Sequence, residues 1–174
     1  MKFFVLDTSE GYWGFIFGGA RRSDGSYLNQ TDLDSTECTL AVEARGVPPD
    51  LVRTEGSIYL FSARAKDLME QFKAPPKTGW VKVSLSMPAE TMIYFALVSQ
   101  TEFDVIDKTY SEFSWLVPGK VMWNVTKRVL KSSALPAFDF FLADDGRWLV
   151  SDRVVDAFTK NHFSGMSYIE CELR

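Results

Sequence analysis

Hydrophobic and polar positions follow two different periods along this chain, and the switch between them occurs twice in the same way. The apolar run Ile58-Tyr59-Leu60-Phe61 ends at Ser62, after which Leu68, Met69 and Phe72 recur on one helical face. The run Trp148-Leu149-Val150 ends at Ser151, after which Val154, Val155 and Phe158 recur with the same spacing. In both blocks an Arg stands two residues after the Ser and an Asp five residues after it: Arg64 and Asp67, then Arg153 and Asp156. A Ser hydroxyl at such a boundary accepts from a free helix N–H and favours the start of a helix. The spacing therefore predicts helices over 62–72, stopped by Ala74-Pro75-Pro76, and over 151–158.

Elsewhere the period is two, or the run is apolar throughout. Val81, Val83 and Leu85 alternate with Trp80, Lys82 and Ser84, and Met92 to Val98 is continuously apolar, as a buried strand requires. Further strands are predicted over 2–6, 13–17, 39–42, 125–130, 137–142, 148–150 and 167–173, with Phe103 to Asp107 as an antiparallel partner strand. Residues 20–36 read as loop, and Gly46 to Asp50, containing Pro48-Pro49, cannot be a central strand. Asp144-Asp145-Gly146 is a hairpin turn signal. The expected fold is α+β, a mostly antiparallel β-sheet with two or more short helices, in a single domain over residues 1–174. The doubled block reads either as a pseudo-duplication or as one capping chemistry used twice.

A chain of 174 residues buries enough surface to fold without disulfides or metals. Fourteen Phe, six Tyr and five Trp exceed what a plain core calls for and supply candidates for interface anchors. Cys38 and Cys171 are far apart and read as a lone disulfide at most, not a secreted framework, so a reduced cytoplasmic protein is expected. Asp7 ends the apolar opening before a signal peptide forms, and no run is long enough to span a membrane. The net charge of −4 is unevenly spread. Ser23 to Ala44 holds Asp24, Asp32, Asp34, Glu37 and Glu43 without a Lys or Arg, and Val83 to Asp107 holds Glu90, Glu102, Asp104 and Asp107 likewise. Such stretches repel phosphates and argue against nucleic-acid binding; they suit either a basic protein partner or a solvated loop surface.

Recognisable catalytic chemistry is missing. The one His, His162, falls at a predicted helix end and has no adjacent nucleophile and acid to act with. One His and two distant Cys match no zinc spacing, so no metal or cofactor is expected. Asp144-Asp145 is explained by its turn, and no phosphate loop or Gly-x-Ser-x-Gly elbow occurs. A binding protein fits this better than an enzyme.

Three segments then carry a resemblance. Pro136-Ala137-Phe138-Asp139-Phe140-Phe141-Leu142, Trp148 to Phe158, and Phe163-Ser164-Gly165-Met166-Ser167-Tyr168 together resemble the closing block of family eleven of the bacterial polymorphic-toxin immunity proteins. The opening Met1-Lys2-Phe3-Phe4-Val5-Leu6 is similar to that family's start, and the helix at Ser62 to Phe72 and the strands near Ile93 to Val98 and Phe103 to Asp107 fit its middle. The loop from Gly18 to Asp34 and the segment around Trp115 match no part of the pattern.

The resemblance implies a protein that binds and blocks one cognate toxin or effector domain, often a nuclease, delivered by contact-dependent or type VI-like systems in interbacterial competition. The expected mechanism is stoichiometric occlusion by an acidic, aromatic surface, with neither nucleic acid nor membrane as direct partner and with monomer or homodimer both open. The expected contact residues are Asp104, Asp107 and Glu112 with Trp115 as anchor, then Asp32, Asp34 and Glu37; the alternative place for Trp115 is the core. A non-enzymatic adaptor unrelated to any toxin is the second reading, and a carboxylate-based hydrolase the third.

Overall fold

The computed structural model describes residues 1–8, 20–34, 37–42, 48–54, 57–88, 90–118 and 121–174, with backbone alone at 121–124. The strand predicted over 13–17 and the residue Glu43 lie outside the described residues. The elements in chain order are β1 (Phe3–Thr8), β2 (Arg21–Arg22), β3 (Glu37–Ala41), β4 (Leu51–Arg53), β5 (Tyr59–Phe61), α1 (Ala63–Met69), β6 (Thr78–Ser86), β7 (Thr91–Ser99), β8 (Glu102–Phe103), β9 (Glu112–Val117), β10 (Val121–Lys127), β11 (Val129–Leu130), β12 (Phe140–Ala143), β13 (Trp148–Ser151), α2 (Asp152–Lys160), β14 (Met166–Glu170) and β15 (Glu172–Leu173). They form a six-stranded sheet in the order β2-β3-β6-β7-β5-β4, a five-stranded sheet in the order β14-β1-β13-β12-β8, and two small pairs, β9 with β10 and β11 with β15. The fold is α+β as the sequence predicts, with mixed sheets in which most neighbouring strands are antiparallel.

The Ser-x-Arg pattern is the visible end of a longer repeat. Twelve residues before each Ser stands a buried Asp, Asp50 or Asp139. The Ser62 N–H donates to the Asp50 carbonyl at 2.8 Å and the Ser151 N–H to that of Asp139 at 2.7 Å. Each Ser hydroxyl donates to the same Asp, and so does the following Arg, Arg64 or Arg153. The chain between each Asp and Ser has the same length and makes the same backbone hydrogen bonds at equivalent positions. Thr54 N–H donates to Ile58 and Ser57 N–H to Thr54; Ala143 N–H donates to Arg147 and Gly146 N–H to Ala143. Both turns place a left-handed residue at the same position, Ser57 at φ 60° and Gly146 at φ 74°. Glycine meets that requirement without strain, whereas Ser57 does so at some cost.

The repeat continues through the sheets. Leu60 of β5 faces Ala96 of β7, which faces Val81 of β6; Leu149 of β13 faces Val5 of β1, which faces Ile169 of β14. Beside β6, β3 runs parallel with Leu40 opposite Leu85, and beside β15, β11 runs parallel with Leu130 opposite Leu173. Val42 N–H closes the first pairing on Ser86 and Ser132 N–H closes the second on Arg174. Beyond β3 lies β2, antiparallel, and beyond β11 the segment 105–107 takes the same place. One half thus spans residues 20–99. The other spans 102–174, with β1 supplying the strand that corresponds to β7.

The apolar pattern follows from this arrangement. Equivalent inward residues of both halves fill one central core: Leu51 with Phe140, Tyr59 with Trp148, Phe61 with Val150, Met69 with Phe158, and Leu97 with Leu6. Their strand neighbours point the other way, as period two demands, so Val52 and Leu60 enter one outer core and Phe141 and Leu149 the other. The halves also clasp each other. After α2, Ser164 donates its N–H and hydroxyl to Asp50; after α1, the Lys73 N–H donates to Asp139. Gly165, at φ 79°, permits the first clasp, since a Cβ there would sit 2.4 Å from the Leu51 carbonyl oxygen.

Three sequence expectations need correction. Phe103 to Asp107 is not an antiparallel strand: Glu102 and Phe103 pair in parallel with β12, and only Ile106 bridges antiparallel, to Leu130. A two-residue pairing across distant elements leaves no local period to read. The Ser151 side chain makes no cap bond and only donates to Asp139, whereas the Ser62 hydroxyl both donates to Asp50 and accepts from the Ala65 N–H. The strand over 125–130 is divided between β10 and β11.

Candidate functional site

The two halves differ most in one connection. In the first half, residues 23–36 join β2 to β3; in the second, residues 108–127 join the 105–107 segment to β11. Asp32 and Asp34 lie in the first connection, and Glu37 opens β3 beside it. Glu112 and Trp115 lie in the second, with Asp104 and Asp107 at its foot. The two acidic groups chosen from the sequence therefore occupy equivalent places in the two halves. No hydrogen bond or ion pair among the described residues joins one group to the other.

The first connection folds around an open cleft of about 400 Å³ lined by Arg22, Ser23, Asp24, Thr31, Asp32, Asp34, Glu37 and Gln100. Asp32 is committed within it: one carboxylate oxygen accepts from Arg22 at 2.5 Å and from the Asn29 N–H at 2.7 Å. Glu37 pairs across the strands with Lys82 at 2.9 Å, and that hydrogen bond holds its carboxyl below the ordinary range. Asp24 is held low as well, by the Ser26 hydroxyl and N–H. Asp34 is exposed and has no ion pair among the described residues. A general acid at neutral pH needs a raised pKa. Asp24 and Glu37 move the other way, so this cleft offers negative charge rather than proton transfer.

The second connection forms a ribbon in which, among the described residues, β9 and β10 pair only with each other. Asp107 builds its foot: its carbonyl accepts from the Ser111 N–H and its carboxylate from the Thr109 N–H. Arg128 fixes the other leg, donating to Asp145 at 2.7 Å and to the Val125 carbonyl at 3.3 Å. Burial pushes the Asp145 carboxyl up, against the pull of Arg128. Asp104 lies between Lys131 at 3.0 Å and Lys108 at 3.4 Å, and chiefly the Lys131 hydrogen bond lowers its pKa. Glu112, exposed at the start of β9, has no ion pair among the described residues.

The ribbon's own side chains are apolar. Phe113 packs into the outer core of the second half, and Trp115 stands edge-on to it at 5.1 Å. Beyond them Trp115, Leu116 and Val117 are 40%, 62% and 42% exposed. Trp115 is thus a surface residue, not a core one. Tyr110 is half exposed nearby, under the Arg174 guanidinium. The sequence pattern predicts no strand at 112–117 and does not single out Leu116, Val117 or Tyr110. The available signal was an apolar run that matched no structural part of the family pattern. An isolated two-stranded ribbon is marginal in water, and exposed apolar patches on otherwise covered folds mark interaction sites.

Among the described residues no helix is long and apolar enough to cross a membrane, and no cluster of His, Cys, Asp or Glu is placed to hold a metal. Residues 25–173 match a family model described as Immunity protein family (Imm11). No curated protein matches the chain.

Proposed function

The chain belongs to the Imm11 immunity protein family, whose members generally neutralise a cognate toxin without catalysis, and on that premise we propose that it binds its toxin stoichiometrically through the β9–β10 ribbon. The observation that carries this reading is the run Trp115-Leu116-Val117, which is exposed on an element that the repeated fold does not need. The duplicated strands and helices are consumed in packing the three cores. The differing connections are the parts left to set partner choice.

In this reading Trp115 is the anchor, since a few large aromatics carry most of the energy of an interface. Phe113 holds its ring in place from below. Leu116 and Val117 widen the apolar contact, and Glu112 lies at its rim. The acid-lined cleft of the first connection, through Asp34 above all, supplies charge that speeds encounter with a basic toxin face such as that of a nuclease. The complex occludes the toxin's active site in the cytoplasm of the producing cell.

Calorimetric titration with the purified toxin domain encoded beside this chain tests the reading. A one-to-one complex, weakened at least about thirtyfold by Trp115→Ala, is expected for a hot-spot residue. Equal binding by the variant would remove the ribbon from the interface.

A further inference from the structure

We infer that the toxin adds an extended, largely apolar strand to the open edge of β9, an inference that rests on the proposed toxin-binding role of the ribbon. Among the described residues β9 pairs with β10 only, so its other edge has no neighbouring strand. An unpaired strand edge presents backbone donors and acceptors that recruit another strand. Three other edges of the described sheets are blunted. β2 is two residues long and both are Arg; β8 is two residues with a Glu; β4 is three residues ending in Arg53. β9 has six residues, Glu-Phe-Ser-Trp-Leu-Val, with its one charge in first place.

The surrounding charge states what fits there. Lys127 and Arg174 pair with Glu172, Arg128 with Asp145, Lys131 with Asp104, and Lys108 with Asp104 and Asp144. Among the described residues each of these basic side chains has a carboxylate partner, which weakens its field at the ribbon. Glu112 is left as the one charge on β9, so the complementary strand is apolar along its length and basic where it meets Glu112. Side chains of such a strand would extend the apolar contact of Trp115 and Val117 on one face and of Leu116 on the other.

Residue-resolved hydrogen exchange of the full chain, free and bound to the C-terminal domain of the toxin encoded beside it, tests this. Strand addition predicts that alternate amides of 112–117 gain protection on binding, since only every second N–H points out of a strand edge. A complex that forms and loses affinity on Trp115→Ala, yet leaves these amides unchanged, would overturn strand addition and leave the toxin-binding reading standing. Absence of any complex would overturn both. A free protein that is already dimeric with the β9 amides protected would assign the edge to a second copy and overturn the inference.

Discussion

Arg64 closes over Asp50 with two hydrogen bonds, Nε to Oδ1 at 2.7 Å and Nη2 to Oδ2 at 2.5 Å, so that a half-exposed guanidinium covers a carboxylate that is 7% exposed. Asp50 is where the halves meet, since the Ser62 hydroxyl from its own half and the Ser164 N–H and hydroxyl from the other also donate to it. Asp50→Ala removes this junction and leaves those donors without their acceptor. The expected loss is about 3 kcal/mol, the low end for a buried ion pair that loses one member, because Arg64 can turn to water. Urea unfolding of the variant checks it.

The same residue sets an acid limit. Burial alone would raise the Asp50 carboxyl, but the hydrogen bonds from Arg64, Ser164 and Ser62 outweigh it and bring the pKa from 3.8 to about 2. A carboxyl whose folded pKa is depressed adds stability above its unfolded pKa, and loses it as pH falls through the folded one. Stability is therefore expected to drop between about pH 4 and about pH 2, and Asp50→Asn should flatten that part of the profile. Denaturation midpoints measured across this window decide it; an unchanged slope in the variant would put the acid sensitivity elsewhere.

The permuted repeat makes a topological prediction. In the first half residues 87–90 join Ser86 of β6 to Thr91 of β7. In the second half Arg174 takes the place of Ser86, and Met1 and Lys2 lead into β1. A linker of about five residues from Arg174 to Met1, with new ends opened between Gln100 and Thr101, should give a cooperatively folded chain, because exposed inter-element sites tolerate such rearrangement. Circular dichroism and thermal melting would show a native-like transition. A molten or aggregated permutant would mean that β1 is not interchangeable with a strand in second-half order.

Trp115→Ala should separate binding from folding. Its ring is 40% exposed, so truncation should cost under about 1 kcal/mol of stability, while toxin affinity falls by at least about 2 kcal/mol. Denaturation and titration of one preparation give both numbers. A large stability loss with unchanged affinity would return Trp115 to a packing role.

Asp104 makes a contrasting case. Lys131 and Lys108 already neutralise it, so Asp104→Asn should change the toxin association rate less than about twofold and leave its salt dependence in place. Asp34→Asn, which removes a carboxylate that has no ion pair among the described residues, should slow association more. Stopped-flow rates at several ionic strengths compare the two. A steeper effect at Asp104 would make that carboxylate a direct contact.

Much of this fold is legible in the sequence because the signals are local. The Ser62 and Ser151 boundaries, the alternation at Val81 to Leu85 and the turn at Asp144 to Gly146 all report φ/ψ preferences or the facing of near neighbours. What escapes is pairing across distance. Asp50 and Asp139 stand twelve residues before their Ser partners, one in a proline-marked break and one in a predicted strand, and neither position shows a period. The parallel neighbours β3 with β6 and β11 with β15, and the use of β1 to complete the second half, depend on topology alone. The candidate site divides in the same way. Its charged residues are visible as acid-only stretches, but their neutralisation by Lys131, Lys108 and Lys82 comes from strands remote in sequence. Leu116 and Val117 carry no sequence signal that separates a core run from an exposed one.

The most direct test of the central claim is co-expression of this chain with the toxic C-terminal domain encoded beside it, scoring survival and co-purification for the native chain and for Trp115→Ala. Survival with a recoverable one-to-one complex for the native chain, and killing without a complex for a folded Trp115→Ala, is the predicted result. Killing in the presence of the native chain, or full protection by the variant, would contradict the account.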